Sequence, residues 1–288
     1  MPTFDDVCAR ALALPCSPTL LPRLAEQLQR PSADLAELAA LIGLDPVLAS
    51  ATLRMANSVY FATGEPVDSI SDAVMRLGVR EIYRIAALSL ASRWMAIEVD
   101  GYRWEAGDFC RASLVKALAT EALALETRLA EPSLAYTCGL VHEIGKLAIA
   151  FSCATDFAAI RAKREARGGT WIQAETEVLG FNHPMVSARL LREWRFPAPC
   201  VAVAAHNPPD ATLPAEFAPL TALVHAANHL AAALGAGQGE DAYLYRLDSA
   251  LLEAHGLGAD LLERTLPRVL DRATQLLHGQ LNTGAVKI

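Results

Sequence analysis

The sequence predicts an all-α protein, an N-terminal helical lobe packed on a larger helical bundle. Three observations lead there. Ala and Leu dominate the apolar runs, and both are strong helix formers. Helix caps and helix stops recur at short intervals along the chain. No segment alternates apolar and polar residues as a half-buried strand would, and a short apolar run such as CVAVAAH lies between helical neighbours. At 288 residues and 53% hydrophobic, the chain has enough apolar surface for one large core or for two lobes.

Each element follows from local signals. Ser17-Pro18 and Asp45-Pro46 each read as an N-cap followed by proline at the first helical position. Ser32 is placed to cap ADLAELAALIG, where Leu35, Leu38, Leu41 and Ile42 recur at helical spacing and Gly43 closes the helix. PVLASATLRMANS follows Asp45. Asp68 or Ser69 caps SISDAVMRLG, which stops at Gly78 before VREIYRIAALSLASRWM. The polar stretch EVDGYRWEAGD (98–108) reads as a joint between lobes. Beyond it, helices are expected near 105–127, 132–151, 154–167, 171–179, 184–194, 198–206 and 215–234. GAGQGE (235–240) breaks the chain before helices near 241–254 and 259–279. The expected organisation is a lobe at 1–100, a bundle at 101–234 and a helical extension at 235–288.

Charge and composition narrow the function. The net charge is −7, which disfavours the phosphate neutralisation that nucleic-acid binding feeds on. The densest basic run, RAKREAR (161–167), reads as a solvated helix face. The six cysteines show no CxxC spacing and read as buried free thiols. The N-terminus MPTFDDVCAR lacks a signal-peptide pattern, and no apolar run is read as reaching the roughly 18 residues that span a bilayer. A cytoplasmic protein without membrane contact is expected.

The stretch GLVHEIGKLAIAF (139–151) carries the most chemistry. It sets His142 beside Glu143, with Lys146 four residues after His142. Imidazole nitrogen and carboxylate oxygen both bind Zn, Mn or Fe. Adjacent helical positions point about 100° apart, so only an ion at the helix edge reaches both. His183 opens a helix before Pro184, His206 ends one before NPPD, and His225 and His229 share a helix face beside Asn228. Lys146 reads as a helix-surface lysine that snorkels, and Gly145 as a point of close helix approach. No P-loop, GxSxG or GxGxxG after a strand is present.

These residues resemble a known family. LALPCSPTLLPRLAEQLQRP, LAALIGLDPVLASATLRMANSVYF and PVDSISDAVMRLGVREI resemble the first half of HDOD domains, the HD-related output domains of bacterial signalling. GLVHEIGKLAI, GFNHPMVSARLLREWRFP, AAHNPP and LVHAANHLA resemble the second half, an HD-type bundle. The resemblance implies a metal set built around His142, Glu143, His183 and His206, with Lys146 and Asn228 near a ligand. It also shows departures. Ala112 stands where active HD phosphohydrolases carry a first histidine, Glu143 replaces aspartate, Asn228 replaces the distal aspartate, and Ala205 fills an accessory histidine slot.

The resemblance therefore implies a non-catalytic signalling output module, without a cofactor, acting through an unknown signalling protein or a nucleotide ligand, as the output part of a two-component response regulator would. Tyr60 and Phe61 offer an interaction surface. The alternative is a divergent phosphohydrolase acting on a nucleotide or cyclic dinucleotide with Fe, Mn or Zn.

Overall fold

The computed structural model describes residues 1–12, 22–24, 27, 34–58, 60–61, 64–95, 101–102, 104–105, 107–236 and 247–281. The caps expected at Ser17 and Ser32, most of GAGQGE and the start of the 241–254 helix lie outside the described residues. Among the described residues every regular element is helical. Contacts divide the chain into two units, Met1–Ser17 with Trp94–Ala273, and Pro18–Arg93 with Thr274–Ile288.

The second unit holds α2 (Leu35–Gly43), α3 (Pro46–Ala56) and most of α4 (Ile70–Met95). Asp34, in place of the expected Ser32, caps α2, accepting from the backbone N–H groups of Ala36 and Glu37, and the helix runs through Gly43, the expected stop, to a C-cap at Leu44. Asp45 caps α3 with Pro46 in its first turn, as the sequence predicts. The hydroxyl oxygen of Ser69 accepts from the backbone N–H of Asp72 at the start of α4. Gly78, at φ 74°, breaks α4 where the stop was expected. Asn57 fastens the loop after α3. Its amide donates to the Val67 carbonyl and its Oδ1 accepts from the Val67 N–H, both at 2.7 Å. Tyr60 is exposed and meets Phe61 edge to face, with centroids 4.8 Å apart.

The first unit carries the bundle. It contains α1 (Phe4–Leu12), α5 (Asp108–Thr127), α6 (Pro132–Val141), α7 (Ile144–Ser152), α8 (Phe157–Arg167), α9 (Trp171–Leu179), α10 (His183–Glu193), α11 (Ala198–Ala205), α12 (Ala218–Ala233), α13 (Ser249–Ala254) and most of α14 (Ala259–Leu281). The helix α5 is buried on nearly all sides, packed by α6 and α12, as a helix apolar all round must be. Gly139 lets α6 lie on α5. A Cβ there would fall 2.8 Å from both Ala117 Cα and the Lys116 carbonyl. Tyr102 packs against Trp104, Phe157 and Trp171, with centroids 4.8–4.9 Å away.

Three expectations need correction. Residues 4–12 do not join the N-terminal lobe. Val7, Cys8 and Ala11 are buried, α1 lies on α7 and α10, and Phe4 meets Phe181 at 5.6 Å. The helix expected over 132–151 turns at His142 and Glu143. The apolar stretch Pro132–Ser152 also has the length and composition of a membrane span, contrary to the sequence reading, but 83% of its most apolar window is buried inside the fold.

Candidate functional site

The turn between α6 and α7 positions His142 and Glu143. His142 is the C-cap of α6 and Glu143 the N-cap of α7, so the pair sits on a corner and the two side chains go to different neighbours.

The His142 ring is buried and faces three oxygens. Nδ1 lies 3.1 Å from the Cys138 carbonyl and 3.0 Å from the Gly139 carbonyl, and Nε2 lies 3.2 Å from Asn228 Oδ1 on α12. Burial pushes the imidazole down to about 4, against the opposing pull of Glu143, so the ring is neutral at pH 7. A neutral imidazole carries one proton. If Nδ1 donates to the carbonyls, Nε2 accepts, and Asn228 must turn its amide nitrogen toward it. Asn207, whose Oδ1 is 3.1 Å from Asn228 Nδ2, then turns in step. His142, Asn228 and Asn207 thus form one polarised chain.

Glu143 goes the other way. Its Oε2 accepts from Lys116 on α5, and its Oε1 accepts from Lys146 at 2.8 Å. Both lysines are buried. Burial alone would raise the Glu143 carboxyl, but the two ammoniums outweigh it and hold the group well below the usual carboxylate range. Lys146 therefore does not snorkel to the surface as expected. It closes a lysine–carboxylate–lysine cluster that ties α5 to the α6–α7 corner.

The two other histidines have partners of their own. His183 is buried at the start of α10. Its Nδ1 lies 2.8 and 3.0 Å from the Glu175 carboxylate oxygens, and its backbone N–H donates to Glu175 Oε2 at 2.8 Å. Tyr102 donates its hydroxyl to Glu175 Oε1 at 2.6 Å. His206 caps the end of α11, and its Nδ1 lies 3.3 Å from both oxygens of Asp210.

The donor set does not fit a divalent ion. Among the described residues no three His, Cys, Asp or Glu side chains converge to hold one. Glu143 is ion-paired to two ammoniums, His142 Nε2 faces an amide, and His183 and His206 face separate carboxylates. A hydrolytic metal centre needs about three firm ligands and an open position. Burial also pushes the Cys110 thiol on α5 up to about 12, which keeps it from acting as a thiolate.

Sequence reasoning missed Lys116, Glu175, Tyr102 and Asn207. Lys116 had a signal. It is the charged residue of the apolar run ASLVKALA, and a lysine inside a helix buried on all sides must meet a carboxylate. Glu175, Tyr102 and Asn207 had none, because their partners are distant in sequence or set by the turn after α11.

The family model of the HDOD domain matches residues 14–209. The chain belongs to the HDOD domain family. Solved structures share the fold. One is a candidate phosphohydrolase from Shewanella amazonensis SB2B, with a TM-score of 0.67 and 24% identity, covering 95% of this chain and 94% of that one. Another is an HDOD domain protein of unknown function from Geobacter sulfurreducens, at 0.67 and 21%, covering 97% and 95%. A third, a candidate signal transduction protein from Marinobacter aquaeolei VT8, has a TM-score of 0.71 and 20% identity, and the match covers 96% of this HDOD chain but 60% of that one. An uncharacterised protein of Treponema pallidum (strain Nichols) is 27% identical over 232 residues. The match covers 75% of this chain and 41% of that protein, so the chain spans about two fifths of its relative's length.

Proposed function

We propose that this HDOD protein is a regulatory module of bacterial signalling that works by binding a partner and not by hydrolysis. The observation that supports this most is the lysine–carboxylate–lysine cluster. The acid that would anchor a metal is neutralised from within the fold, by Lys116 on α5 and Lys146 on α7. An amide at Asn228 where a carboxylate would stand points the same way, because the amide brings no negative charge to a divalent ion. The partner is proposed to be a signalling protein, with the exposed Tyr60 and its neighbour Phe61 as anchors. A domain of this kind serves as the output half of a response regulator.

The test is metal content together with turnover. Protein purified without chelator is assayed for Fe, Mn and Zn, and for hydrolysis of cyclic dinucleotides and a phosphodiester model substrate. Sub-stoichiometric metal and no turnover are expected. Stoichiometric metal that is lost with turnover in His142→Ala would replace this reading with that of a divergent phosphohydrolase.

A further inference from the structure

Cys138 on α6 and Cys200 on α11 meet sulfur to sulfur at 3.2 Å, 62 residues apart in sequence and both fully buried. Neither thiol has a role in the site described above, yet both stand on its supports. The Cys138 carbonyl faces His142 Nδ1 at 3.1 Å. His142 is the C-cap of α6 and His206 the C-cap of α11. The two helices that deliver these histidines therefore touch through a dithiol.

We propose that Cys138 and Cys200 are an oxidation site, a buried dithiol that closes to a disulfide and locks α6 to α11. A disulfide has its sulfurs about 2.05 Å apart, so the pair must approach by roughly 1 Å. Rotation of the two side chains and a small shift of α11 on α6 supply that. The co-reactant is a two-electron oxidant of the peroxide class. One thiol loses its proton, and the thiolate attacks a peroxide oxygen, breaking the O–O bond to give a sulfenic acid and hydroxide, which takes up that proton and leaves as the first water. The second sulfur attacks the first, forming the S–S bond and releasing a second water. In sum, two thiols and one hydrogen peroxide yield one disulfide and two waters. Burial disfavours the Cys138 thiolate, so the reaction waits on local opening of the helix pair, and the site responds to sustained oxidant in preference to a brief pulse.

The experiment uses the full chain with hydrogen peroxide as the probe. After incubation the protein is denatured, its thiols are alkylated, and peptides are mapped without reduction. The native chain has six cysteines. The expected result is a Cys138–Cys200 cross-linked peptide and about four remaining thiols, with no such peptide in Cys138→Ser or Cys200→Ser. A parallel incubation in urea below the unfolding transition raises the frequency of opening, so that slow access does not pass for an unreactive pair. Absence of the 138–200 cross-link under both conditions, or a cross-link that joins other cysteines instead, overturns the proposal. If one serine variant fails to fold, the other supplies the control. If both fail, the native peptide map decides by itself, because the linked peptide identifies its own partners.

Discussion

Substitution of Gly145 by alanine tests the close crossing that sets the site's corner. Gly145 is the second residue of α7, and a Cβ on it would lie 2.1 Å from the His183 carbonyl, 2.7 Å from the Ser187 nitrogen and 2.8 Å from the Ser187 hydroxyl. Two of these atoms are backbone, so no side-chain rotation relieves the clash and α7 must move away from α10. The movement also breaks the bond from the Gly145 N–H to Ser187 Oγ, 2.8 Å and buried, which satisfies one of the donors that a helix leaves open in its first turn. In an unstrained helix the change to alanine gains about 1 kcal/mol. Overpacking costs about 1–3 kcal/mol, and the stranded donor about 1–3 kcal/mol more. The net expectation is a loss of about 1–5 kcal/mol, centred near 3, which at a urea slope near 3 kcal/mol/M moves the unfolding midpoint down by roughly 1 M. Urea titration followed through tryptophan fluorescence reads it, because Trp171 and Trp194 lie in the same unit. Ser187→Ala, which removes the acceptor and leaves the space, should lose only the hydrogen-bond part. If Gly145→Ala is as stable as the native chain or more so, helix propensity has won and the crossing is looser than the contact distances require.

Three further outcomes are expected. Lys116→Met leaves the partly buried Glu143 with one of its two ammonium partners and should cost about 1–3 kcal/mol, while the double change Lys116→Met with Glu143→Gln should cost less than the sum of the singles; additive losses in a double-mutant cycle would contradict the pairing. Glu175→Ala removes the carboxylate that accepts from the Tyr102 hydroxyl and the His183 backbone N–H and faces His183 Nδ1, so a loss above about 3 kcal/mol is expected in urea titration, and a change under about 1 kcal/mol would refute the role given to that carboxylate. Burial lowers the pKa of His225, and its Nε2 accepts the Asp248 N–H at 2.9 Å at the start of α13. The ring is therefore neutral in the fold, and its contribution is complete above the unfolded value near 6.5 and declines as pH falls toward the lower folded value. Protection of the α13 amides, taken relative to the intrinsic exchange rate at each pH, should fall over that range in the native chain and respond less in His225→Gln.

Much of the helical frame was legible because its signals are local. Asp45-Pro46, Gly78, Pro132 and Gly168 each fix a boundary through one residue's own geometry, a side-chain acceptor, a ring-locked φ or a positive φ. The motif that carried His142 and Glu143 was visible for the same reason. The turn that splits 132–151 was not, since the run is apolar throughout and nothing between Val141 and Ile144 is a helix breaker. That corner forms because each of its polar side chains has a tertiary partner waiting, Asn228 for one and Lys116 for the other. Residues 4–12 fall within the lobe expected at 1–100 because sequence position is the only guide there, and only the packed fold shows that α7 and α10 cover Val7, Cys8 and Ala11.

The pairing of Glu143 bears directly on what the cleft can hold. Long helical side chains lean toward their helix N-terminus, so Lys116 reaches back over the turn that carries Ala112, the small residue one turn earlier on the same face of α5. A histidine at 112 would compete with that lysine for space, whereas alanine leaves the ammonium room to meet Glu143. A divalent ion brought to the carboxylate would then sit within a few ångströms of two ammoniums, in a medium where like charges repel by several kcal/mol even at an effective dielectric near 20. Expelling the lysines instead would strand them in an apolar helix pair, at the cost of a broken buried ion pair. On this argument a histidine at 112 alone would not build a metal centre, and removing the Lys116 charge is the necessary first step.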